Sequence, residues 1–197
     1  MRVGIISDVH GDYGALENTL KKLKTEHRVS RTLCAGDLVG RGPQQNKVVE
    51  CIRRNNIATV KGNHDEWFSG ITDENSSFLK NLPVDWKGNV GGTRMYMCHG
   101  KPGNNMWGMY RDHLSETYLN MVLKALKADV LITGHTHMPL YMQVDNGILL
   151  NPGSLYTFES SRQTSHTYGI FDLKTLEFSL FDAKTQGIVP ARQEYEY

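Results

Sequence analysis

Cysteine is scarce in this chain of 197 residues: Cys34, Cys51 and Cys98 are an odd number and show no Cys-x-x-Cys spacing. That argues against a disulfide framework and fits reduced thiols in a reducing compartment. Cys34 and Cys98 lie inside apolar runs, where a cysteine is expected as a small core residue rather than a ligand. Long apolar runs are missing too, and none approaches the roughly 20 residues that a membrane-spanning helix needs. Charge of one sign is equally lacking. With 22 Lys and Arg against 21 Asp and Glu the formal net charge is +1, so nothing draws the whole molecule to nucleic acid or to a membrane surface. No basic stripe, internal repeat or low-complexity segment is visible. Met1-Arg2 leads straight into Val3-Gly4-Ile5-Ile6, so removing a leader would also remove a strand; the expected location is the cytoplasm.

What is present is the composition of a soluble protein, 39% hydrophobic and 22% charged. The length suits one domain over residues 1–197. The first half alternates two periods. Val3 to Ile6, Thr32 to Ala35 and Ile57 to Val60 read as strands, while Leu16, Leu20 and Leu23, then Val48, Val49 and Ile52, recur at helical spacing. Strand and helix in alternation predict parallel strands with right-handed crossovers. Phe78, Leu79 and Leu82 predict a short helix ended by Pro83, followed by a strand over Met95 to Cys98. Lys101 to His113 has no period and is expected as a long loop. Ser115 is the expected N-cap of a helix that carries Leu119, Val122, Leu123 and Leu126 on one face, and Val130 to Thr133 is the next strand. Leu140–Val144 and Ile148–Leu150 flank Asp145-Asn146-Gly147 as a hairpin, and Tyr168–Asp172 with Glu177–Phe181 predict a second, so the sheet should end in antiparallel strands. The tail from Gln186 to Tyr197 has no periodic signal.

Five short polar clusters each follow an apolar run: Asp8-Val9-His10, Gly36-Asp37, Gly62-Asn63-His64-Asp65, His99-Gly100 and Gly134-His135-Thr136-His137. Taken singly, each is ordinary punctuation, since Asp, Asn and Gly favour turns. Taken together they place three carboxylates, an amide and five imidazoles at strand ends, where open α/β sheets bind ligands, and two carboxylates, the amide and four imidazoles are enough to hold two divalent ions. In an extended segment residues i and i+2 share a side, so Asp8 with His10, and His135 with His137, are expected to reach one site as paired prongs. Imidazole, carboxylate and amide donors without thiolate suit Mn, Fe, Co, Ni or Zn better than Ca.

The ordered series Asp8-x-His10, Gly36-Asp37, Gly62-Asn63-His64-Asp65, His99-Gly100 and Gly134-His135-x-His137 resembles the calcineurin-like metallophosphoesterases. Asn151-Pro152-Gly153-Ser154 makes it most similar to their small bacterial and archaeal phosphodiesterases. The likeness runs from Val3 to about Asp172. It implies an α/β fold of two mixed sheets packed as a sandwich with helices outside, a four-layer α/β/β/α arrangement. It also implies two divalent transition-metal ions, manganese the first expectation. Asp8, His10, Asp37 and His137 would hold one and Asp37, Asn63, His99 and His135 the other, with a bridging hydroxide as nucleophile. His64 then stands apart as a catalytic group that gives a proton or hydrogen bond to the phosphate, beside Asn63, and Asp65 holds its ring in the required tautomer.

The resemblance implies a phosphate-ester substrate and leaves its identity open. Arg41, in Gly36-Asp37-Leu38-Val39-Gly40-Arg41-Gly42-Pro43, resembles the pattern of protein phosphatases and diadenosine tetraphosphate hydrolases and is a candidate to grip phosphate; a solvated loop arginine is the plainer account. Those relatives carry Glu where Asp65 stands, which counts against transferring their substrates. Phosphodiester hydrolysis leads, with a nucleotide or diadenosine polyphosphate hydrolase and a serine/threonine protein phosphatase as alternatives. A non-catalytic scaffold of this fold is disfavoured because every site position is filled. Trp107 and its neighbours Met106, Met109 and Tyr110 either pack their loop or line the cleft, with packing preferred, and Tyr156, Phe158 and Arg162 share that ambiguity. No membrane or nucleic-acid partner is expected; assembly into homo-oligomers is common among similar proteins.

Overall fold

The computed structural model describes residues 1–157, 166–185 and 187–189. Phe158, Arg162, Gln186 and the tail beyond Val189 lie outside them. Among the described residues eleven strands form two sheets. In the first, β1 (Arg2–Ile6), β2 (Arg31–Cys34) and β3 (Ala58–Thr59) run parallel, and β9 (Thr167–Asp172), β10 (Phe178–Asp182) and β11 (Ile188–Val189) extend it antiparallel beyond β1. The second has the order β4-β5-β6-β8-β7, made of β4 (Asp85–Val90), β5 (Thr93–Cys98), β6 (Val130–Ile132), β7 (Pro139–Val144) and β8 (Gly147–Pro152). Its centre, β5, β6 and β8, is parallel and its edges are antiparallel.

The period of two along each strand decides which layer it touches. Val3 and Ile5 of β1, Met95 and Met97 of β5, Val130 and Ile132 of β6 and Ile148 and Leu150 of β8 meet in one buried cluster between the sheets. Their neighbours face outward. Ile6 and Cys34 pack with Leu16, Leu23, Val48, Val49 and Ile52 from the helices α1 (Tyr13–Thr25) and α2 (Gln45–Arg54), and Leu79 joins them from α3 (Asp73–Lys80). Tyr96, Cys98, Leu131 and Leu149 pack against Leu119 and Leu123 of α4 (Glu116–Leu126). Each fully buried aliphatic chain contributes roughly 1.5–3 kcal/mol, so the two sheets are held by hydrocarbon. The result is the expected sandwich of two mixed sheets flanked by helices.

Helix starts follow local chemistry. Asp12, Thr72 and Ser115 cap α1, α3 and α4 by accepting the amides of Ala15, Asn75 and Tyr118. Three expectations need correction. The two C-terminal hairpins do not end one sheet: β7–β8 joins the second sheet and β9–β10 the first, with Ile148 and Leu150 meeting Phe171, Phe178 and Leu180 between the sheets while Leu149 faces outward on one side and Tyr168 and Ile170 on the other. β4 carries no apolar alternation in Asp85-Trp86-Lys87-Gly88-Asn89-Val90 and is an edge strand recruited by pairing with β5. The strand expected over Ile57–Val60 pairs only at Ala58–Thr59. Among the described residues no helix is long and apolar enough to cross a membrane, and the three cysteines are free and buried.

Candidate metal centre

All five polar clusters arrive at the same end of the sandwich, on loops after β1, β2, β3, β5 and β6. The loops of the first sheet are tied by main-chain bonds: the amide of Asp8 donates to Gly36 O at 3.0 Å and that of His10 to Asp37 O at 2.9 Å. Those of the second sheet are joined by Gly134 N to His99 O at 2.8 Å. The seam between sheets is crossed by His135 N, which donates to Asp8 Oδ2 at 3.1 Å. Gly62 explains how closely these loops can approach: a Cβ there would fall 2.0 Å from Asp37 Oδ1 and 2.3 Å from its amide nitrogen.

The paired-prong expectation holds for Asp8 with His10, whose ligand atoms meet in one group, and fails for His135 with His137; the backbone behind both pairs differs from the one expected. Asp8, His10, His135 and His137 are not extended; their φ angles are +53°, +48°, +67° and +58°, and Asp37 stands at +56°. Left-handed backbone costs a non-glycine residue of order 1–3 kcal/mol, and such strain gathers at functional sites. It also redirects the side chains. His137 Nε2 lies 3.2 Å from Asp8 Oδ1 and 3.1 Å from His10 Nε2, whereas His135 Nδ1 lies 2.9 Å from Asn63 Oδ1 and 3.3 Å from His99 Nε2. The two histidines therefore serve different groups.

Backbone carbonyls orient two of the rings. His10 Nδ1 donates to Val39 O at 3.0 Å and His99 Nδ1 to Ala35 O at 2.7 Å, so each turns Nε2 inward. Asp37 Oδ2 stands between them, 3.7 Å from His10 Nε2 and 3.3 Å from His99 Nε2. Ligand atoms of Asp8, His10 and His137, of Asp8, Asp37 and His99, and of His10, Asp37 and His64 each fall within 4.8 Å of one another. Among the described residues Asp8 Oδ1 is a buried oxygen without a hydrogen-bond partner. Lone pairs facing lone pairs in a buried site repel unless positive charge sits among them, so these residues fit divalent cations.

Protonation shows the same demand. Burial opposes the charge of His99, yet the Asp37 carboxylate, with its hydrogen bond and Asp8 behind it, pushes the ring up to about 10. Burial likewise works against the Asp8 carboxylate, but the His137 contact and the fields of His99 and His10 hold it below the usual range. His10 is pushed down to about 4, chiefly by burial.

Asp65 has a different position from the one expected. Its carboxylate, pushed up to about 7 by burial and by Asp37, does not touch the His64 ring in any described hydrogen bond. It accepts the amides of Asp37, Leu38, Val39 and Gly62 at 2.9, 2.8, 3.3 and 2.9 Å. The side chain is fully buried among those amides, which outcompete an imidazole at the rim. His64 is half-buried, its ring edge-on to His10 with centroids 4.9 Å apart. Gly40 makes room for it, since a Cβ there would sit 2.6 Å from His64 Nδ1. Arg41 is exposed on the Asp37 loop.

Two supports escaped sequence reasoning although their motif was visible. Asn151 donates to Gly134 O at 2.8 Å and Ser154 Oγ to Asp8 O at 3.0 Å, so Asn151-Pro152-Gly153-Ser154 braces one loop from each sheet. The loop aromatics divide. Met109 is 4% exposed and anchors the 101–113 loop as the packing reading expects, while Met106 at 46%, Trp107 at 64% and Tyr110 at 44% are more open, with Trp107 against the Lys101 ammonium and Tyr110 against the His113 ring.

The family model for the calcineurin-like phosphoesterase superfamily domain matches residues 1–176. An uncharacterized protein of Methanocaldococcus jannaschii is 26% identical over 220 residues, covering 98% of this chain and 88% of its own. A phosphodiesterase of the same organism is 26% identical over 187 residues, 90% of this chain and 96% of the relative. A hypothetical protein of Pyrococcus horikoshii has a solved structure of the same fold, with a TM-score of 0.78 at 19% identity over 92% of this chain and 87% of that one. Strand-end clusters that gather buried acceptors, on this fold and under this family match, establish that the chain belongs to the calcineurin-like phosphoesterase superfamily, hydrolases of phosphate esters that work with divalent metal ions.

Proposed function

We propose that this chain is a phosphodiesterase using two divalent cations, one held by Asp8, His10, Asp37 and His137 and the other by Asp37, Asn63, His99 and His135, with residues 1–197 acting as one metallophosphoesterase domain. The observation that carries this reading is the meeting of two groups of inward lone pairs at Asp37 Oδ2, between His10 Nε2 and His99 Nε2. A carboxylate with two oxygens and a full charge is suited to separating two cations. Donors of this kind suit manganese and its neighbours, and the cysteines stand outside the set. Bound divalent cations supply Lewis acidity, lowering the pKa of water and neutralising charge on a phosphoryl group.

The chain's own groups do the rest. Carbonyls of Val39 and Ala35 keep two rings in the tautomer that turns Nε2 inward. His64, at the rim beside His10, gives a hydrogen bond or proton to a phosphoryl oxygen. Arg41 lies exposed on the same loop as Asp37 and grips the outer phosphate oxygens. The diester preference is supported by the relative named a phosphodiesterase, matched over nine-tenths of both chains.

The test is reconstitution with manganese, counting metal per chain and comparing bis(p-nitrophenyl) phosphate with p-nitrophenyl phosphate. About two ions per chain and faster diester turnover are expected. Two bound ions with no turnover of either compound would sink the reading.

A further inference from the structure

Beside the centre lies a cavity of about 270 Å³ that shares His99 as a wall; Glu66, Asp85, Lys101, Asn105 and Met106 line it as well. Its size, just below the roughly 300–1,000 Å³ range of pockets for drug-sized molecules, suits one sugar-sized group. Position links it to the chemistry: Glu66 ends the short turn that His64 begins, and His99 Nε2 is 3.3 Å from Asp37 Oδ2.

The lining is rich in acceptors and held in place. Asn105 Nδ2 donates to Glu66 Oε1 at 2.9 Å, and the Tyr96 hydroxyl donates to Asp85 Oδ2 at 2.8 Å. Each bond engages one oxygen, and a carboxylate has about four lone-pair sites, so both keep acceptors for a ligand. Two carboxylates against the single ammonium of Lys101 repel a further phosphate, which disfavours a polyphosphate chain in this direction. They favour a neutral group with neighbouring hydroxyls, and an acidic side chain on a ribose hydroxyl is a recurrent form of that contact. Met106, which lines the cavity, is 46% exposed, and the next residue, Trp107, is 64% exposed with the Lys101 ammonium of the lining 5.9 Å from its ring centroid. Their loop is fixed by Met109 and by the Lys101 amide, bonded to Asn104 O at 3.0 Å and Trp107 O at 2.8 Å, so the indole is presented on ordered backbone.

We propose that this cavity is the subsite for the ribonucleoside part of a phosphodiester substrate, with ribose hydroxyls on Glu66 and Asp85 and the base stacked on Trp107. The proposal rests on the phosphodiesterase reading, and its test separates the two. Calorimetry on the manganese-loaded chain compares adenosine monophosphate, its 2′-deoxy form and inorganic phosphate, alongside turnover of bis(p-nitrophenyl) phosphate and of the p-nitrophenyl ester of adenosine monophosphate. The nucleotide should bind at least tenfold tighter than phosphate, the deoxy form in between. Glu66→Gln and Trp107→Ala should each pull the nucleotide-to-phosphate affinity ratio toward one and raise KM for the nucleoside ester several-fold more than for the bis-aryl ester. A nucleotide that binds no tighter than phosphate, or variants that weaken both equally, overturns the subsite, and bis-aryl turnover then still upholds the diesterase. Nucleotide binding that depends on Glu66 without turnover of either ester upholds the subsite and removes the diesterase.

Discussion

The two sheets bring different chemistry to the seam where they meet. The first delivers Asp8, His10, Asp37 and Asn63, all buried, and with them both carboxylates of the proposed centre. The second delivers only imidazoles: His99 is buried, and His135 and His137 are half-buried at the rim. One sheet thus supplies the negative charge of the site, and the other completes its geometry with imidazoles, which bind a cation in their neutral form. Removing an anionic donor should therefore cost more than removing an imidazole. The deeper half is also the more heavily braced, since Asp65 gathers four amides of the Asp37 and Gly62 loops.

The sharpest break of that asymmetry is Asp37→Ala, which takes the shared carboxylate from both proposed ligand sets. Diester kcat/KM should fall by about 10³-fold or more, a loss of roughly 4 kcal/mol of transition-state stabilisation, and metal content per chain should drop. His137→Ala removes a neutral donor from the second sheet and is expected to lose nearer 10²-fold in the same assay. Equal losses would abolish the distinction between sheets. Next comes Gly62→Ala, whose added Cβ must displace Asp37. A shift of that order costs about 10²-fold in rate and about 1–3 kcal/mol of stability in a urea titration. Gly14→Ala, where the nearest atom is 3.8 Å away in the first turn of α1, is the matched control and should be neutral or slightly stabilising.

Asp65→Asn tests the brace itself. An amide turns its NH₂ toward backbone N–H groups, so about 1–3 kcal/mol of stability should be lost, and metal affinity should weaken about 10–100-fold by titration. A variant with native metal affinity would show that the four bonds stabilise the fold without shaping the site. The smallest effect is expected at Ser7, whose buried hydroxyl has no partner among the described residues. Ser7→Ala should leave kcat/KM within twofold and raise stability by about 1 kcal/mol, read as a higher Tm.

Periodicity made much of this molecule legible. Leu16 and Leu23, Val48, Val49 and Ile52, and Leu119 and Leu123 are buried on the helix faces their spacing predicts, and Ser115 caps its helix. β4 was illegible because an edge strand is selected by its partner rather than by its own pattern. The role of Asp65 was illegible for a related reason: a carboxylate beside a histidine in sequence reads as its partner, while the bonds it makes go to amides as many as 28 residues away. Trp107 looked like packing because an aromatic run beside Met109 usually is, and only burial distinguishes the anchor from its exposed neighbours.

By itself the sequence determined which donors end each strand, their order, and through that order the family and the class of bond it hydrolyses. These are properties of residue type and local spacing, which a chain carries before it folds. The family resemblance implied how the donors divide, and the tertiary structure supplied the physical means: left-handed backbone at Asp8, His10, Asp37, His135 and His137 aims each side chain, and the approach of two sheets brings His99 and His135 to Asn63 while His137 goes to Asp8. Spacing alone does not encode that geometry, because it depends on hydrogen bonds and close contacts between segments 36 to 127 residues apart.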